Sequence, residues 1–334
     1  IHPKRPIMRR KLLLLAAATT LSTWAGAQQA APAAADNWPT RPVRILVGFP
    51  GGSSPDITAR LIAEPLSKAL GQPVYVENKP GASGNIAADQ VAKAQDGHTL
   101  GLMINGNMTI AKLLNPRTPY DPLKDLAPIS FIGSAPLVLT AANSVAFNDI
   151  AGFFAAARKA GDQWSYGSPG IGTVSHLGME LLAGQTGIKP VHVPYPGNPQ
   201  VINGMLAGEL QLALLPPGLA LPQIQAGKIK PVGLSSKGRS PVAPGLPSLA
   251  EGGVKDYQVE VWNAVAGPAN MPKERAQRLS TILTEILRRP EIREKLLAQG
   301  WQVVAGSPEA LARRMQADTA QMGAVIRSRN IRVE

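Results

Sequence analysis

An α/β fold of about two domains is what this 334-residue sequence predicts, and three features predict it. Short apolar runs alternate with stretches of helical periodicity, the pattern of mainly parallel strands covered by helices. Two glycine-rich loops each follow an apolar run and open a helix. The first is Gly48-Phe49-Pro50-Gly51-Gly52-Ser53-Ser54-Pro55-Asp56, and the second is Gly167-Ser168-Pro169-Gly170-Ile171-Gly172-Thr173-Val174-Ser175-His176. A chain of roughly 300 residues is also long enough to bury two cores.

The first element is a leader. Met8 opens a pattern that makes sense without residues 1–7, which read as sequence upstream of the natural start. Arg9, Arg10 and Lys11 form its basic region, residues 12–18 its apolar region, and Ala25-Gly26-Ala27 its cleavage site, so a secretory signal peptide over 1–27 is expected. The apolar stretch is shorter than the roughly 20 residues a spanning helix needs. Removing it leaves 307 residues, and Lys4, Arg5, Arg9, Arg10 and Lys11 take five charges with them, so the net charge falls from +12 to +7. That modest excess favours acidic ligands.

In the mature chain residues 43–47 form the first strand and 74–77 the second. Between them Ile57, Leu61, Ile62, Leu66 and Leu70 recur at helical spacing, with Ser54 as N-cap, Pro55 at the first position and Gly71 as the stop. Pro65 falls inside this pattern and is expected to kink the helix or end it early. Strands follow at 100–104, 137–141 and 163–166, the last leading into the second glycine loop. Behind that loop Val174, Leu177, Leu181 and Leu182 make an apolar helical stripe, with Thr173 as N-cap and Gly184 just past its end. A strand at 191–193, a helix near 199–207, strands at 211–215 and 229–234, a Pro/Gly-rich connection at 240–247 and a long strand at 259–266 come next. Two amphipathic helices, 272–289 and 308–326, each open on Pro.

Several chemistries are excluded. With no cysteine there are no disulfides, thiolate metal sites or cysteine nucleophiles. Dispersed basic residues and only 4% aromatics argue against nucleic acid. Gly170-Ile171-Gly172-Thr173-Val174-Ser175 has Ser where a dinucleotide fingerprint needs a third Gly or Ala, and no strand ending in an acid follows about 20 residues on. There is no Walker lysine and no Gly-x-Ser-x-Gly elbow. His98, beside Gly97 in a turn, reads as a solvated loop histidine, and His192, between Val191 and Val193, as a packed or paired strand residue. His176 falls in the first turn of the second helix, where it faces the loop or pairs with Glu180. No cofactor, metal or catalytic residue is expected.

Binding fits the loops better. Glycine lets backbone approach a ligand closely, and the unpaired N–H groups of the following helix make an anion site. Neither loop carries Arg or Lys between its strand and its helix, so a bound anion is met by N–H dipoles. Each hydroxyl here has a structural alternative: Ser53, Ser54 and Thr173 also suit capping, and Asp56 also suits the positive helix end. Tyr195, between Pro194 and Pro196, suits a loop wall better than a paired strand.

The run Trp38-Pro39-Thr40-Arg41-Pro42-Val43-Arg44, with Phe49-Pro50-Gly51-Gly52 and Asp56-Ile57-Thr58-Ala59-Arg60, resembles the opening of Bug-type receptors, the extracytoplasmic solute-binding proteins of tripartite tricarboxylate transporters. Gly71-Gln72-Pro73-Val74-Tyr75-Val76-Glu77-Asn78-Lys79-Pro80-Gly81-Ala82, Asp96-Gly97-His98-Thr99-Leu100, Tyr120-Asp121-Pro122, the second glycine loop, His176-Leu177 and Val193-Pro194-Tyr195 continue the resemblance in order along the mature chain. It implies a periplasmic-binding-protein-like fold: two α/β domains, a ligand cleft between them and two crossing hinge strands near 137–143 and 260–266. The first domain would take 38–138 and 263–334, and the second 139–262.

The resemblance further implies a monomeric periplasmic receptor of a Gram-negative bacterium that hands a small carboxylate to membrane transport subunits. The ligand would be a di- or tricarboxylate, an amino acid or an aromatic acid. Backbone amides and ordered waters of the two loops would hold one carboxylate, with 83–85 and 105–109 as walls. The residues expected at the ligand are Phe49, Gly51, Gly52, Ser53, Asp56, Ser83, Asn85, Asn107, Gly167, Ser168, Gly170, Thr173, His176 and Tyr195. Pro55, Pro65, the segment 105–112 and Leu214-Leu215-Pro216-Pro217 depart from the family's usual pattern, which leaves the ligand's identity open. A sensory adaptor for a membrane kinase and a carboxylate-processing enzyme stay open as alternatives.

Overall fold

The structure, a computed structural model, describes residues 37–328 and 331, so the expected leader and its cleavage after Ala27 lie outside the described residues. The chain first lays down β1 (Val43–Val47), α1 (Ser54–Leu70), β2 (Val74–Asn78), α2 (Asn85–Ala92) and β3 (Thr99–Ile104). After two short helices, α3 (Ala111–Leu114) and α4 (Pro122–Asp125), it runs through the long β4 (Leu126–Pro136) into β5 (Val138–Ala142). Next come α5 (Ile150–Ala160), β6 (Ser165–Ser168), α6 (Val174–Thr186), β7 (Val191–Pro194), α7 (Asn198–Leu206), β8 (Leu212–Leu215), α8 (Pro217–Gln225) and β9 (Ile229–Leu234). It ends with β10 (Glu260–Pro268), α9 (Lys273–Arg288), α10 (Pro290–Ala298), β11 (Gln302–Gly306) and α11 (Pro308–Ser328).

The strands form two sheets, ordered β11-β4-β10-β3-β1-β2 and β7-β6-β8-β5-β9. Five of the nine pairings are antiparallel, against the expectation of mainly parallel strands. Each of the five involves β4, β5 or β10, the strands next to the places where the chain changes sheet. The sequence pattern missed β4 because Pro128, Gly133 and Pro136 break its alternation. Gly133 is needed there: a Cβ would press within 2.6 Å of the Gln302 carbonyl oxygen on the neighbouring β11.

The chain changes sheet at Leu137, between β4 and β5, and returns between β9 and β10. Ser235 ties the two passages together. Its N–H donates to the Leu137 carbonyl at 2.8 Å and its carbonyl accepts the Val259 N–H at 2.9 Å. Its hydroxyl accepts the Leu137 N–H at 2.7 Å and donates to the Val259 carbonyl at 2.6 Å. Both crossings therefore hang on one buried serine. The last helix adds another link, because Met322 and Ile326 pack with Leu139, Tyr166 and Leu212 of the second sheet, while Leu311 and Met315 pack with Leu46 and Trp262 of the first.

Several local expectations change. Helix α1 runs through Pro65 without ending, capped by Ser53 rather than Ser54 and stopped by Gly71 at φ +68°. Ile62, Leu66 and Leu70 on both sides of Pro65 are buried. Each such burial is worth about 1.5–3 kcal/mol, enough to offset the roughly 3 kcal/mol cost of an interior proline. Helix α6 continues past Gly184 to Thr186 and stops at Gly187, φ +75°. The helical pattern did not announce α2, α5, α8 or α10; α8 carries an interior Pro222, and α10 begins at Pro290 directly after α9. His98 is not a solvated loop residue but buried, its Nε2 accepting the Thr40 N–H at 3.3 Å and its Nδ1 lying 2.8 Å from the Asp96 carbonyl.

Candidate functional site

Both glycine loops sit where a strand ends and a helix begins, and their backbones match at the last glycine and at the cap. After β1, Gly52 takes φ +77° and Ser53 caps α1 at φ −71°, ψ 156°. After β6, Gly172 takes φ +78° and Thr173 caps α6 at φ −71°, ψ 158°. In each loop the glycine N–H donates to a side chain four residues on, Gly52 to Asp56 Oδ2 at 2.9 Å and Gly172 to His176 Nδ1 at 3.1 Å. Neither cap uses its side chain on the helix: Thr173 Oγ1 donates to the Gly170 carbonyl at 2.7 Å, and Ser53 Oγ has no partner among the described residues.

The loops face each other across a cleft whose two sides come into contact at several points. A Cβ on Gly170 would overlap Ser83 Oγ, one on Gly106 would lie 3.3 Å from the Gly172 carbonyl oxygen, and one on Gly197 would lie 3.1 Å from Pro50 Cδ. A small cavity of about 30 Å³ lies between them, room for two to three water-sized groups at roughly 10–15 Å³ each. Four helices present their first residues to it: α1 through Ser53 and Ser54, α6 through Thr173 and Val174, α7 through Asn198 and α8 through Pro216. The N–H groups of Ser54, Val174 and Ser175 have no acceptor among the described residues. No charged side chain lines this cavity among the described residues, while each helix N-terminus contributes about half a positive charge. The arrangement favours a small anion held by dipoles. Pro169 also borders a second cavity of about 640 Å³, walled by Ala82, Ser83, Leu114, Ile171 and Tyr195 among others, again with no charged side chain among the described residues.

The family model described as the tripartite tricarboxylate transporter family receptor, TctC, matches residues 58–331. The chain belongs to this family. A UPF0065 protein from the tcbD–tcbE intergenic region of Pseudomonas sp. strain P51 is 32% identical over 315 residues, 94% of this chain and 92% of that one. Among solved structures, an R. palustris protein with adipate is 32% identical with a TM-score of 0.85, covering 88% of this chain and 98% of that one. The MatC protein of Rhodopseudomonas palustris with bound malate is 29% identical with a TM-score of 0.82, covering 86% of this chain and 100% of that one. The fold of this TctC-family receptor is thus that of the periplasmic binding proteins, two α/β units around a cleft.

Within the TctC-family framework the fourteen residues expected at the ligand fall into three groups. Phe49, Ser53 and Thr173 line the small cavity; Ser83, Asn85, Gly170 and Tyr195 line the larger one. Gly51, Gly52, Asp56, Asn107, Gly167, Ser168 and His176 line neither. Most of the third group braces the loops. Asp56 accepts from the Gly52 N–H, from Arg60 and from Asn78 Nδ2, whose second hydrogen bond fixes the Phe49 carbonyl at 2.9 Å. Burial pulls the Asp56 pKa up, but these hydrogen bonds and the Arg60 charge outweigh it and hold the carboxyl below its usual range. Asn107 Nδ2 donates to the Ser83 carbonyl at 3.0 Å and to Asn85 Oδ1 at 2.9 Å.

Behind the second loop Tyr166, His192 and His176 form a stack, with ring centroids 4.8 Å apart for the first pair and 4.1 Å for the second. His192 Nε2 lies 2.7 Å from Ser168 Oγ, and Tyr166 donates to Glu180 Oε1 at 2.8 Å. Burial pushes both imidazoles down to about 4, with the neighbouring His176 adding to the shift at His192, so both are neutral at pH 7. Glu180 is therefore taken by Tyr166, and His176 serves the loop.

The sequence analysis passed over Asn198, Asn263 and Trp301, all of which line the small cavity and carry a buried polar atom without a partner among the described residues. Asn263 left a trace, as the lone amide in the otherwise apolar run Val261-Trp262-Asn263-Ala264-Val265-Ala266. Trp301 left none.

Proposed function

We propose that this protein is a periplasmic solute-binding receptor that captures a small carboxylate in the small cavity, with backbone amides of the two glycine loops as the main donors. The observation that carries the reading is the convergence of four helix N-termini on one small cavity lined by no charged side chain among the described residues. The adipate and malate held by two family neighbours support the ligand class. The rest of the ligand passes Pro169 into the larger cavity. Each sheet with its helices moves as a lobe about the Ser235 tie, and the shut form is what membrane transport subunits recognise. Neither cavity is lined by Asp, Glu, His, Lys or Arg among the described residues, which supports holding rather than transforming the ligand.

A thermal-shift screen over di- and tricarboxylates, amino acids and aromatic acids tests this. A carboxylate at 100 times its Kd adds about 2.7 kcal/mol of stability, and X-ray scattering shows a compaction on binding. Stabilisation by neutral sugars or amines and by no carboxylate overturns the reading.

A further inference from the structure

The small cavity is dominated by donors: the first-turn N–H groups of α1 and α6, the Trp301 indole N–H, and the Ser53 hydroxyl. Two side-chain amide oxygens there, Asn198 Oδ1 and Asn263 Oδ1, are buried acceptors without a partner among the described residues, and of the two only the Asn263 amide is held in that orientation by a hydrogen bond of its own nitrogen, 3.0 Å to Thr58. Asn263, on β10 and 1% exposed, donates through Nδ2 to Thr58 Oγ1 at 3.0 Å, which leaves its Oδ1 buried without a partner among the described residues. The direction of that bond is fixed from behind, because the single Thr58 hydroxyl hydrogen is given to the Ser54 carbonyl at 3.1 Å and Thr58 can then only accept from Asn263. A buried acceptor left unmade is costly, and a site built around one selects ligands that supply the missing hydrogen.

We infer that the ligand carries a hydroxyl on the carbon next to its carboxylate, and that Asn263 selects for it; the inference rests on the carboxylate-receptor reading above. The carboxylate faces the N-termini of α1 and α6, and the adjacent O–H donates to Asn263 Oδ1. An ammonium at the same place would also donate, but it would face four positive helix ends with no acidic side chain lining the cavity among the described residues. The ligand class is therefore a 2-hydroxycarboxylate rather than a 2-amino acid or an unsubstituted acid. Thr58 is a positioning residue, since it touches Asn263 and does not line the cavity.

Calorimetry with three matched pairs tests this: lactate and propionate, malate and succinate, 3-phenyllactate and 3-phenylpropionate. In any pair that binds, the hydroxy acid binds tenfold or more tightly than its unsubstituted partner. Thr58→Val frees the Asn263 amide to turn, and Asn263→Leu removes the acceptor. In both variants the ratio falls toward one, while in Thr58→Val the unsubstituted acid keeps its affinity. Equal affinities within every binding pair, or a ratio that survives both substitutions, overturn the inference and leave the receptor reading standing. The same holds if Asn263→Leu weakens both members equally, which would mean that the amide donates to the carboxylate instead. If no carboxylate of any pair binds, the inference falls, and the receptor reading stands or falls by the wider thermal-shift screen.

Discussion

At the first glycine loop the Gly52 N–H is held by a carboxylate, Asp56, itself gripped by Arg60 and Asn78; at the second the Gly172 N–H is held by a neutral imidazole, His176, stacked on His192. The backbones are the same to within a few degrees at the glycine and the cap. One loop therefore depends on a charge that must be present and the other on a charge that must be absent. The difference follows from surroundings. Arg60 reaches Asp56 from a half-open helix face, its side chain 55% exposed, whereas His176 is buried and stacked with the His192 and Tyr166 rings. A charged brace is affordable only where a counter-ion can follow it.

The largest way to break the symmetry is at Gly170, which sits at φ +125° with no room for a Cβ beside Ser83. Gly170→Val combines backbone strain with overlap, at a cost of about 3 kcal/mol or more, and abolishes ligand-induced compaction in scattering. Gly51→Ala, where the nearest atom to a new Cβ is 4.0 Å away, leaves closure intact. Next in size is Asp56→Ala. It strands the Gly52 N–H and one bond of the Asn78 amide, for about 2–4 kcal/mol in chemical denaturation. His176→Ala strands one N–H and leaves a small void, for about 1–3 kcal/mol.

The two braces also respond to pH in different windows. His176 and His192 titrate near 4 when folded against 6.5 when unfolded. Between those values the unfolded chain binds more protons, so stability is complete above 6.5 and falls by up to about 1.4 kcal/mol per pH unit per histidine as the pH drops toward 4. The Asp56 pKa is lowered from 3.8, so its contribution is present above 3.8 and goes only at more acid pH, as the carboxyl is protonated. Hydrogen exchange, corrected for intrinsic rates, will show protection at Gly172 eroding between pH 6.5 and 4 while Gly52 stays protected. Loss of both together would show that the braces are not independent. His176→Gln, which keeps an acceptor that does not titrate, flattens the upper part of the pH profile. The smallest effect belongs to Arg60→Gln. The Arg60 end of the pair is 55% exposed, and the Gly52 N–H and Asn78 still donate to the buried Asp56 carboxylate when Arg60 is replaced, so the loss is about 1 kcal/mol, and ligand affinity stays unchanged because Arg60 lines neither cavity.

Local chemistry made the loops legible in advance. Glycine at positive φ followed by a hydroxyl cap marks a strand-to-helix turn in any context, and β1 and β9 emerged with the bounds expected from their apolar runs. Strand β4 was not legible, because its prolines and glycine make sense only beside β10 and β11. His98 looked like a turn residue for a similar reason: the Thr40 N–H that buries it is 58 residues away.

The sequence by itself determined the pair of loop-and-helix units, the absence of basic residues within them, and the family. Only the tertiary structure decided what those loops do with their side chains. The resemblance puts Asp56 and His176 at the ligand, with a helix-end role for one and a loop-facing or Glu180-pairing role for the other as alternatives, and in the structure each side chain turns back to hold its own loop. Asn263 and Trp301 come from a strand and a turn more than 80 residues beyond the second loop and arrive at the small cavity through sheet pairing. Backbone conformation is set by each residue and its neighbours, and so can be read along the chain. Whether a polar group ends buried, spent or unpaired depends on which distant segments the sheets bring against it.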